Sequence, residues 1–425
     1  MKKFTILWFG QLVSIMGTGM TRFALILWIY TKTNNVTETA LLGFFSLLPF
    51  ALTSPFAGII VDKYSRKSVM LIADIGAALG TGLMFTLLIL GHLDLWVIYM
   101  SSMVAGICEA FQSPAYTASI TLMMPEEKYT KANAMRSFSD NASRMLAPML
   151  AGALMVFIGL KGIMIIDLIT FFIGTLSLLI IKIPNPAKHK AYEIGRITVR
   201  SVLRSFSESY TYIRKVPGLM TLVKIFVVIN LITGITYYGI FPAYILARTG
   251  NDQLILGTVE MLLGLGGVIG AVIVGILKAP KNRVKVIFYS LLISYITGDV
   301  ALAIGRNVYI WGISTLITSI FIVFAVTSAT TIWQVKIAPE IQGRVFAFRQ
   351  MINILPMTLG YLTGGLLADY IFEPLMKKDV LVVQIVSKLV GTGSGSGMAF
   401  MLIITAFLGV LISIFGLFNK KLKQL

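Results

Sequence analysis

Residues 58–71 read GIIVDKYSRKSVML and set an acid, Asp62, among the bases Lys63, Arg66 and Lys67. A long run of apolar residues flanks this stretch on either side. Each run reaches the roughly 20 residues that a helix needs to cross about 30 Å of hydrocarbon. The charged stretch therefore indicates a short loop between two membrane-spanning helices.

Twelve such apolar stretches follow one another in the 425-residue chain, of which 57% is hydrophobic and 13% charged. A backbone in hydrocarbon must satisfy its own hydrogen bonds, and these stretches lack the alternation of barrel strands, so we expect helices. The predicted spans are residues 5–30, 38–61, 68–90, 95–122, 134–158, 161–183, 219–247, 254–278, 284–305, 308–336, 345–370 and 397–418. The fold class is an all-α membrane protein of twelve transmembrane helices.

Positive charge is distributed unevenly among the loops. The chain has 36 Lys and Arg against 18 Asp and Glu, a net charge of +18. Most bases lie at the termini and in the loops on the same side; those on the opposite side are Lys32, Lys161, Arg248, Arg306, Lys377, Lys378 and Lys388. The positive-inside rule thus predicts cytoplasmic N- and C-termini. The basic excess then indicates contact with anionic membrane lipids and gives no reason to expect nucleic acid.

A hydrophilic stretch divides the chain into two halves. We expect an N-terminal six-helix bundle over 1–183, a cytoplasmic linker over 184–217 and a C-terminal six-helix bundle over 218–425. The linker sequence VRSVLRSFSESYTYIRK has the spacing of an amphipathic helix on the inner leaflet. The halves also echo each other, since Pro148 aligns with Pro356. Such duplication is typical of transporters whose two bundles move about a central site.

The opening stretch resembles the loop signature of the major facilitator superfamily, G-x-x-x-D-[RK]-x-G-[RK]-[RK]. The matching positions are Gly58, Asp62, Lys63, Arg66 and Lys67. Ser65 stands where the family has glycine. The resemblance implies two six-helix bundles, and acids beside bases at helix ends can form charge-assisted networks. We therefore expect these residues and Asp74 to form a conformational latch; the alternative is a basic loop that sets topology and caps a helix.

Longer stretches resemble the macrolide-efflux branch of the drug:proton antiporters. They are GQLVSIMGTGMTRFALILWIYTKT (10–33), AFQSPA (110–115), PEEKYTKANA (125–134), PEIQGRVFA (339–347) and GTGSGSG (391–397). MLAPMLAG (145–152) also resembles the antiporter motif of the fifth span, and Pro148, Gly152, Pro356 and Gly360 are expected to let helices bend and pack closely. The resemblance implies a monomeric, proton-driven exporter of a drug-like amphiphilic small molecule in a bacterial cytoplasmic membrane.

Ionisable residues inside spans are the candidate proton-coupling or substrate site, because buried charge in a bilayer is costly unless paired or hydrated. They are Arg22, Glu109, Asp140, Arg144, Glu260 and Asp299. Asp140 and Arg144 lie at i, i+4 on one helical face. We expect these two and Glu109 to form a coupled group that binds the proton. The alternative is a fixed salt bridge that only holds spans together.

Other function classes have little support in the sequence. There is no G-x-x-x-x-G-K-[ST] phosphate loop, and the only histidines, His92 and His189, fall in loops. We therefore expect no ATP-driven pump, no cofactor, no metal site and no enzyme. Two alternatives stay open: an importer or uniporter of a nutrient, siderophore or lipid, and a membrane protein that binds a ligand or lipid without transporting it.

Overall fold

A computed structural model describes residues 2–125, 129–184, 199–277, 280–337 and 341–425, and every regular element in these ranges is helical. The helices before residue 216 are α1 (Lys2–Thr33), α2 (Val36–Lys63), α3 (Arg66–Ile89), α4 (Leu95–Met123), α5 (Tyr129–Ile180) and α6 (Val199–Lys215). The α-helices that follow are α7 (Leu219–Thr233), α8 (Phe241–Arg248), α9 (Gln253–Ile276), α10 (Arg283–Ile293), α11 (Ala301–Ile304), α12 (Val308–Lys336), α13 (Gln342–Leu367), α14 (Glu373–Leu375), α15 (Leu381–Val390) and α16 (Ser396–Phe418).

Eleven helical stretches within the described ranges are long and apolar enough to cross a membrane. The longest, Phe138–Ile180, has 43 residues and would extend about 65 Å as one straight helix, twice the thickness of the hydrocarbon. It is interrupted at Gly159, whose φ of 61° and ψ of −173° are not helical. Counting its two parts separately gives twelve crossings, and the predicted fold class is confirmed.

The two parts of α5 run in opposite directions along α1. The contacting pairs, in order along α1, are Gly10–Ser177, Ile15–Ser143, Gly17–Thr170 and Gly19–Ala147. For the partners that precede Gly159, the residue numbers rise as those of α1 rise. For the partners that follow Gly159, the residue numbers fall as those of α1 rise. Gly159 therefore reverses the chain between the fifth and sixth crossings.

Contacts divide the chain into two units. The first contains Met1–Trp28 and Phe44–Arg204, and the second contains Ile29–Gly43 and Ser205–Leu425. We call the segment Ile29–Gly43, which joins the end of α1 to the start of α2, the strap. The strap precedes most of the first unit in sequence, yet its contacts belong to the second. The predicted bundle boundaries stay a prediction.

The amphipathic helix predicted in the linker is α6. Its Ile213 is fully buried in the apolar core of the second unit, and Phe206 lies against Phe348 with ring centroids 5.5 Å apart. These apolar side chains therefore contact protein, where the sequence suggested the inner leaflet. Leu203, on the same helix, is exposed.

In the described residues of the second unit, three π-helical segments interrupt crossings. They are Gly234–Ile240 after α7, Ser294–Val300 after α10 and Ala368–Phe372 after α13. A π-helical turn changes the direction of the following side chains and is frequent at functional sites. All three of these segments carry residues that take part in the polar contacts described below or pack closely against neighbouring helices.

Candidate functional site

Arg22 of α1 and Glu109 of α4 form an ion pair in the first unit. Nη2 and Oε2 lie 3.0 Å apart, and the two side chains are 50% and 49% exposed. Both residues lie well inside apolar spans, where charged side chains face the bundle interior or water in preference to lipid. This face of the unit therefore carries a charged pair within apolar spans.

Asp140 pairs with Arg136, one turn before it on α5, at an Oδ2 to Nε distance of 4.0 Å. The sequence predicted a pair with Arg144, one turn after it; the structure pairs Asp140 with Arg136 instead, and the Arg144 side chain is exposed. Spacing alone cannot choose between a base at i−4 and one at i+4. Tertiary contacts decide: Arg136 Nη2 donates to Ser113 Oγ at 3.0 Å, and its guanidinium lies over the Tyr116 ring.

Glu109 and Asp140 of the predicted group thus lie in two separate ion pairs, and the coupling of the group stays a prediction. Glu109 and Ser113 lie one turn apart on α4, on the same face. Because Ser113 accepts a hydrogen bond from Arg136, the two pairs border adjacent turns of this helix. Each acid has its own base, and the role of either acid in proton binding stays a prediction.

Asp74 of α3 is a buried acid bound by two amides. Its carboxylate accepts a hydrogen bond from Gln11 Nε2 at 3.4 Å and another from Gln112 Nε2. The sequence assigned Asp74 to the latch with Arg66, but eight helical residues separate the two by about 12 Å. Asp74 therefore belongs to a polar cluster of α1, α3 and α4. Sequence reasoning missed Gln11 and Gln112. As polar side chains within apolar spans, they could have been recognised as candidates for contacts between helices.

Lys67 caps the end of the sixth crossing. Its Nζ donates to the carbonyl of Leu179 at 2.8 Å and to that of Ile181 at 2.9 Å. A base there satisfies carbonyls that lack a helical partner. Arg66 begins α3 and is half-buried. The structure does not describe the surroundings of Gly58 or the side chains of Asp62 and Lys63. The latch therefore stays a prediction.

Asp167, in the sixth crossing, joins three helices. Its carboxylate accepts hydrogen bonds from Thr18 Oγ1 of α1 and Thr81 Oγ1 of α3, both at 3.2 Å. Asp167 is 4% exposed, and hydroxyl donors are what a buried carboxylate requires when no base is near. These contacts fix the packing of the first, third and sixth crossings.

The second unit contains a buried acid of its own. Tyr237 Oη donates to Asp299 Oδ1 at 2.6 Å. Asp299 is 1% exposed, and its Oδ2 has no hydrogen-bond partner within the described part of the chain. Both residues stand in π-helical segments. Glu260, the other predicted acid of this unit, is half-buried on α9.

The two prolines of the predicted bending motif lie inside helices. Pro148 is in α5 with the buried Gly152, and Pro356 is in α13. A Cβ atom at Gly360 would lie 2.8 Å from Gly234 Cα, so this glycine allows α13 to approach the π-helical segment after α7 closely. Helix bending at the prolines stays a prediction.

Known proteins are similar to this chain in sequence over most of its length. Macrolide efflux protein A of Streptococcus pyogenes is 24% identical over 370 residues, which are 87% of this chain and 90% of that protein. The Staphyloferrin A transporter of Staphylococcus aureus is 23% identical over 371 residues, covering 85% of this chain and 86% of that protein. These identities leave the substrate of this chain open.

The fold also matches solved transporters. A bacterial homologue of the iron transporter ferroportin, in its inward-facing state, has a TM-score of 0.67 at 15% identity and covers 98% of this chain and 99% of that one. Likeness at such identity concerns the fold alone. The family model described as Major Facilitator Superfamily matches residues 7–361. With twelve apolar crossings and a family match over most of its length, the chain belongs to the major facilitator superfamily.

Proposed function

We propose that this protein exports an amphiphilic small molecule across the cell membrane in exchange for protons, by alternating access. Family membership makes it a multi-pass membrane transporter and not an enzyme. The similarity of 87% of the chain to a protein named for macrolide efflux supports outward transport of a drug-like compound. Proton exchange is supported by the acids of the first unit.

The observation that carries the proposal is the Arg22–Glu109 ion pair. Its two side chains are each about half exposed although both lie within spans. Since lipid does not solvate such a pair, the pair borders water or a bound compound. A solvent-accessible carboxylate can take a proton at this position, and the neighbouring guanidinium can contact a polar group of the cargo.

Proton binding at Glu109 would change the balance of conformations. A neutral carboxyl no longer pairs with Arg22, so the free energy of any conformation that depends on the pair rises relative to one that does not. Asp140, which is paired with Arg136 beside the next turn of α4, is a second candidate carrier. Glu260 and Asp299 are the candidates of the second unit.

Proton flux in proteoliposomes tests the proposal. Purified protein is reconstituted with a pH-sensitive dye inside the vesicles, a macrolide is added, and proton movement is followed. Wild-type protein should move protons only when substrate is present. Glu109→Gln should abolish this flux, and Asp140→Asn should do so if that acid carries the proton. Asp94→Asn, an exposed acid in the loop before α4, is the matched control and should keep full flux.

Full substrate-dependent proton flux in both Glu109→Gln and Asp140→Asn would overturn the assignment of these acids. Substrate movement without any proton flux in wild-type protein would overturn antiport. The similarity to a protein named Staphyloferrin A transporter makes a siderophore a second cargo class to test. The same vesicles should therefore also be assayed for movement of staphyloferrin A in both directions.

A further inference from the structure

Helix α15 is too short to cross a membrane. Its ten residues, Leu381–Val390, extend about 15 Å, half of the hydrocarbon thickness. It lies between the eleventh crossing, which ends at Leu375, and the twelfth, which begins at Ser396. By this topology α15 stands at the membrane surface on the side opposite to the termini.

One face of α15 is apolar and uncovered. Leu381 is 71% exposed, Val382 54%, Ile385 56% and Leu389 53%. At 100° per residue these four side chains fall within an arc of about 100°. Four large apolar residues on one face of so short a helix form a continuous stripe, and such a stripe marks a contact surface.

The opposite face of α15 is fixed to the protein. Val383 and Val390 are buried. Arg248, at the end of α8, donates from Nη2 to the Val390 carbonyl at 2.7 Å and from Nη1 to the Thr392 carbonyl at 3.2 Å. The helix is therefore held with its stripe facing outward, and the stripe is not the side on which it packs.

The charges near the stripe identify its partner. Lys388 is exposed on α15 at the edge of the stripe, and Lys377 and Lys378 are exposed in the turn before the helix, where the one acid, Asp379, accepts a hydrogen bond from Gln384. Lysine at the edge of an apolar helical face is the pattern of helices that lie in the interface, with apolar side chains among the acyl chains and ammonium groups at the phosphates. The adjoining crossing α16 also exposes apolar side chains, among them Phe407 and Leu411.

We propose that α15 lies flat in the lipid leaflet opposite to the termini, with the stripe of Leu381, Val382, Ile385 and Leu389 in the acyl-chain boundary and the three lysines at anionic phosphates. This site is independent of the proposed function, because it requires only that the neighbouring helices cross a bilayer. The helix then anchors the connection between the last two crossings to the membrane surface.

Spin labels measure the immersion of each face. In a Cys108→Ala background, nitroxides are attached at Ile385→Cys or Leu389→Cys on the stripe and at Gln384→Cys, which is exposed beside it. In nanodiscs, the stripe labels should collide with oxygen more often and with a water-soluble nickel chelate several-fold less often than the Gln384 label. Equal access of the chelate to all three labels would overturn the proposal.

Lipid composition tests the part of the lysines. Nanodiscs with one third phosphatidylglycerol should immerse the stripe labels more deeply than phosphatidylcholine alone, and the triple change of Lys377, Lys378 and Lys388 to Gln should remove the difference. The same depth in both lipids would refute the role of the phosphates. Disulfide-linked dimers through Ile385→Cys in nanodiscs would refute lipid as the occupant and indicate a second copy of the chain.

Discussion

Asp369 accepts hydrogen bonds from the backbone N–H and the hydroxyl of Thr37, each at 2.6 Å, across a sequence separation of 332 residues. It also accepts from the N–H of Val36 at 3.1 Å. These donors belong to the first turn of α2, whose N–H groups have no helical partner. One turn further on, Glu373 accepts from the N–H of Met398 at 3.1 Å, in the first turn of α16. One end of the eleventh crossing therefore caps two helices.

Removing the Asp369 carboxylate should loosen the strap. Asp369→Ala deletes three acceptor contacts, so we expect a loss of unfolding free energy of about 1.5–3 kcal/mol, the range for charged hydrogen bonds. In a Cys108→Ala background, the buried Val36→Cys should then react with a maleimide severalfold faster.

The matched control for this change is Asn35→Ala. Asn35 Oδ1 accepts from the N–H of Glu38 at 3.0 Å, a local cap whose loss costs about 1 kcal/mol and leaves the Asp369 contacts in place. If Val36→Cys reacts with the maleimide at the same rate with and without the Asp369→Ala change, the predicted loosening is contradicted.

Tyr237→Phe should destabilise the second unit. The change removes the hydroxyl that donates to Asp299 Oδ1, and a buried acceptor left without its donor costs about 1–3 kcal/mol. Thermal unfolding in detergent measures the loss. Asp299→Asn should cost less, because its amide oxygen still accepts from Tyr237.

Tyr238→Phe is the control for Tyr237→Phe, since the Tyr238 side chain is 41% exposed. It should leave the melting temperature unchanged. If Asp299→Asn destabilises the protein more than Tyr237→Phe does, the argument from a lost donor is refuted.

The Arg22–Glu109 ion pair should matter for transport far more than for stability. Half-exposed pairs contribute about 0–1 kcal/mol, so Arg22→Gln should shift the unfolding free energy by no more than that, while substrate flux falls at least tenfold. Thermal unfolding and substrate flux, both measured on Arg22→Gln, distinguish a role in transport from a role in stability. A loss of several kcal/mol with residual flux would instead identify the pair as a fixed structural bridge, the alternative that the sequence left open.

Gly360→Ala should destabilise the packing of α13. The added Cβ would lie 2.8 Å from Gly234 Cα and 2.8 Å from Ile235 N, and backbone atoms cannot move aside cheaply, so we expect a loss of about 1–3 kcal/mol. Gly82→Ala is the control, because nothing lies within 4 Å of a Cβ there. Because alanine has a higher helix propensity than glycine, Gly82→Ala should stabilise the protein by up to about 1 kcal/mol. Similar melting temperatures for the two variants would contradict the close approach.

The twelve crossings could be predicted from the sequence because the bilayer sets a minimum length of apolar helix. Pairing of charges could not be predicted in the same way. Arg136 and Arg144 are equally spaced from Asp140, and only the tertiary contacts of Arg136 with Ser113 and Tyr116 distinguish them. The Arg22–Glu109 pair likewise depends on which faces of α1 and α4 meet, which a uniformly apolar span does not specify.

Three further features have no local sequence pattern of charge or span length. Helix α15 is shorter than a span, so apolar length does not identify it. The contact of Asp369 with Thr37 joins residues too distant in the chain for any local pattern. The cluster of Gln11, Asp74 and Gln112 depends on two uncharged amides, which the cost of burying charge in a bilayer does not single out.

The chain reverses at Gly159 without a longer loop between the fifth and sixth crossings. Its φ of 61° with ψ of −173° belongs to a region that only glycine occupies readily, so backbone geometry alone excludes other residues, even though a Cβ there would meet nothing within 4 Å. An epitope tag or protease site spliced in at this position would push the two helices out of register with α1.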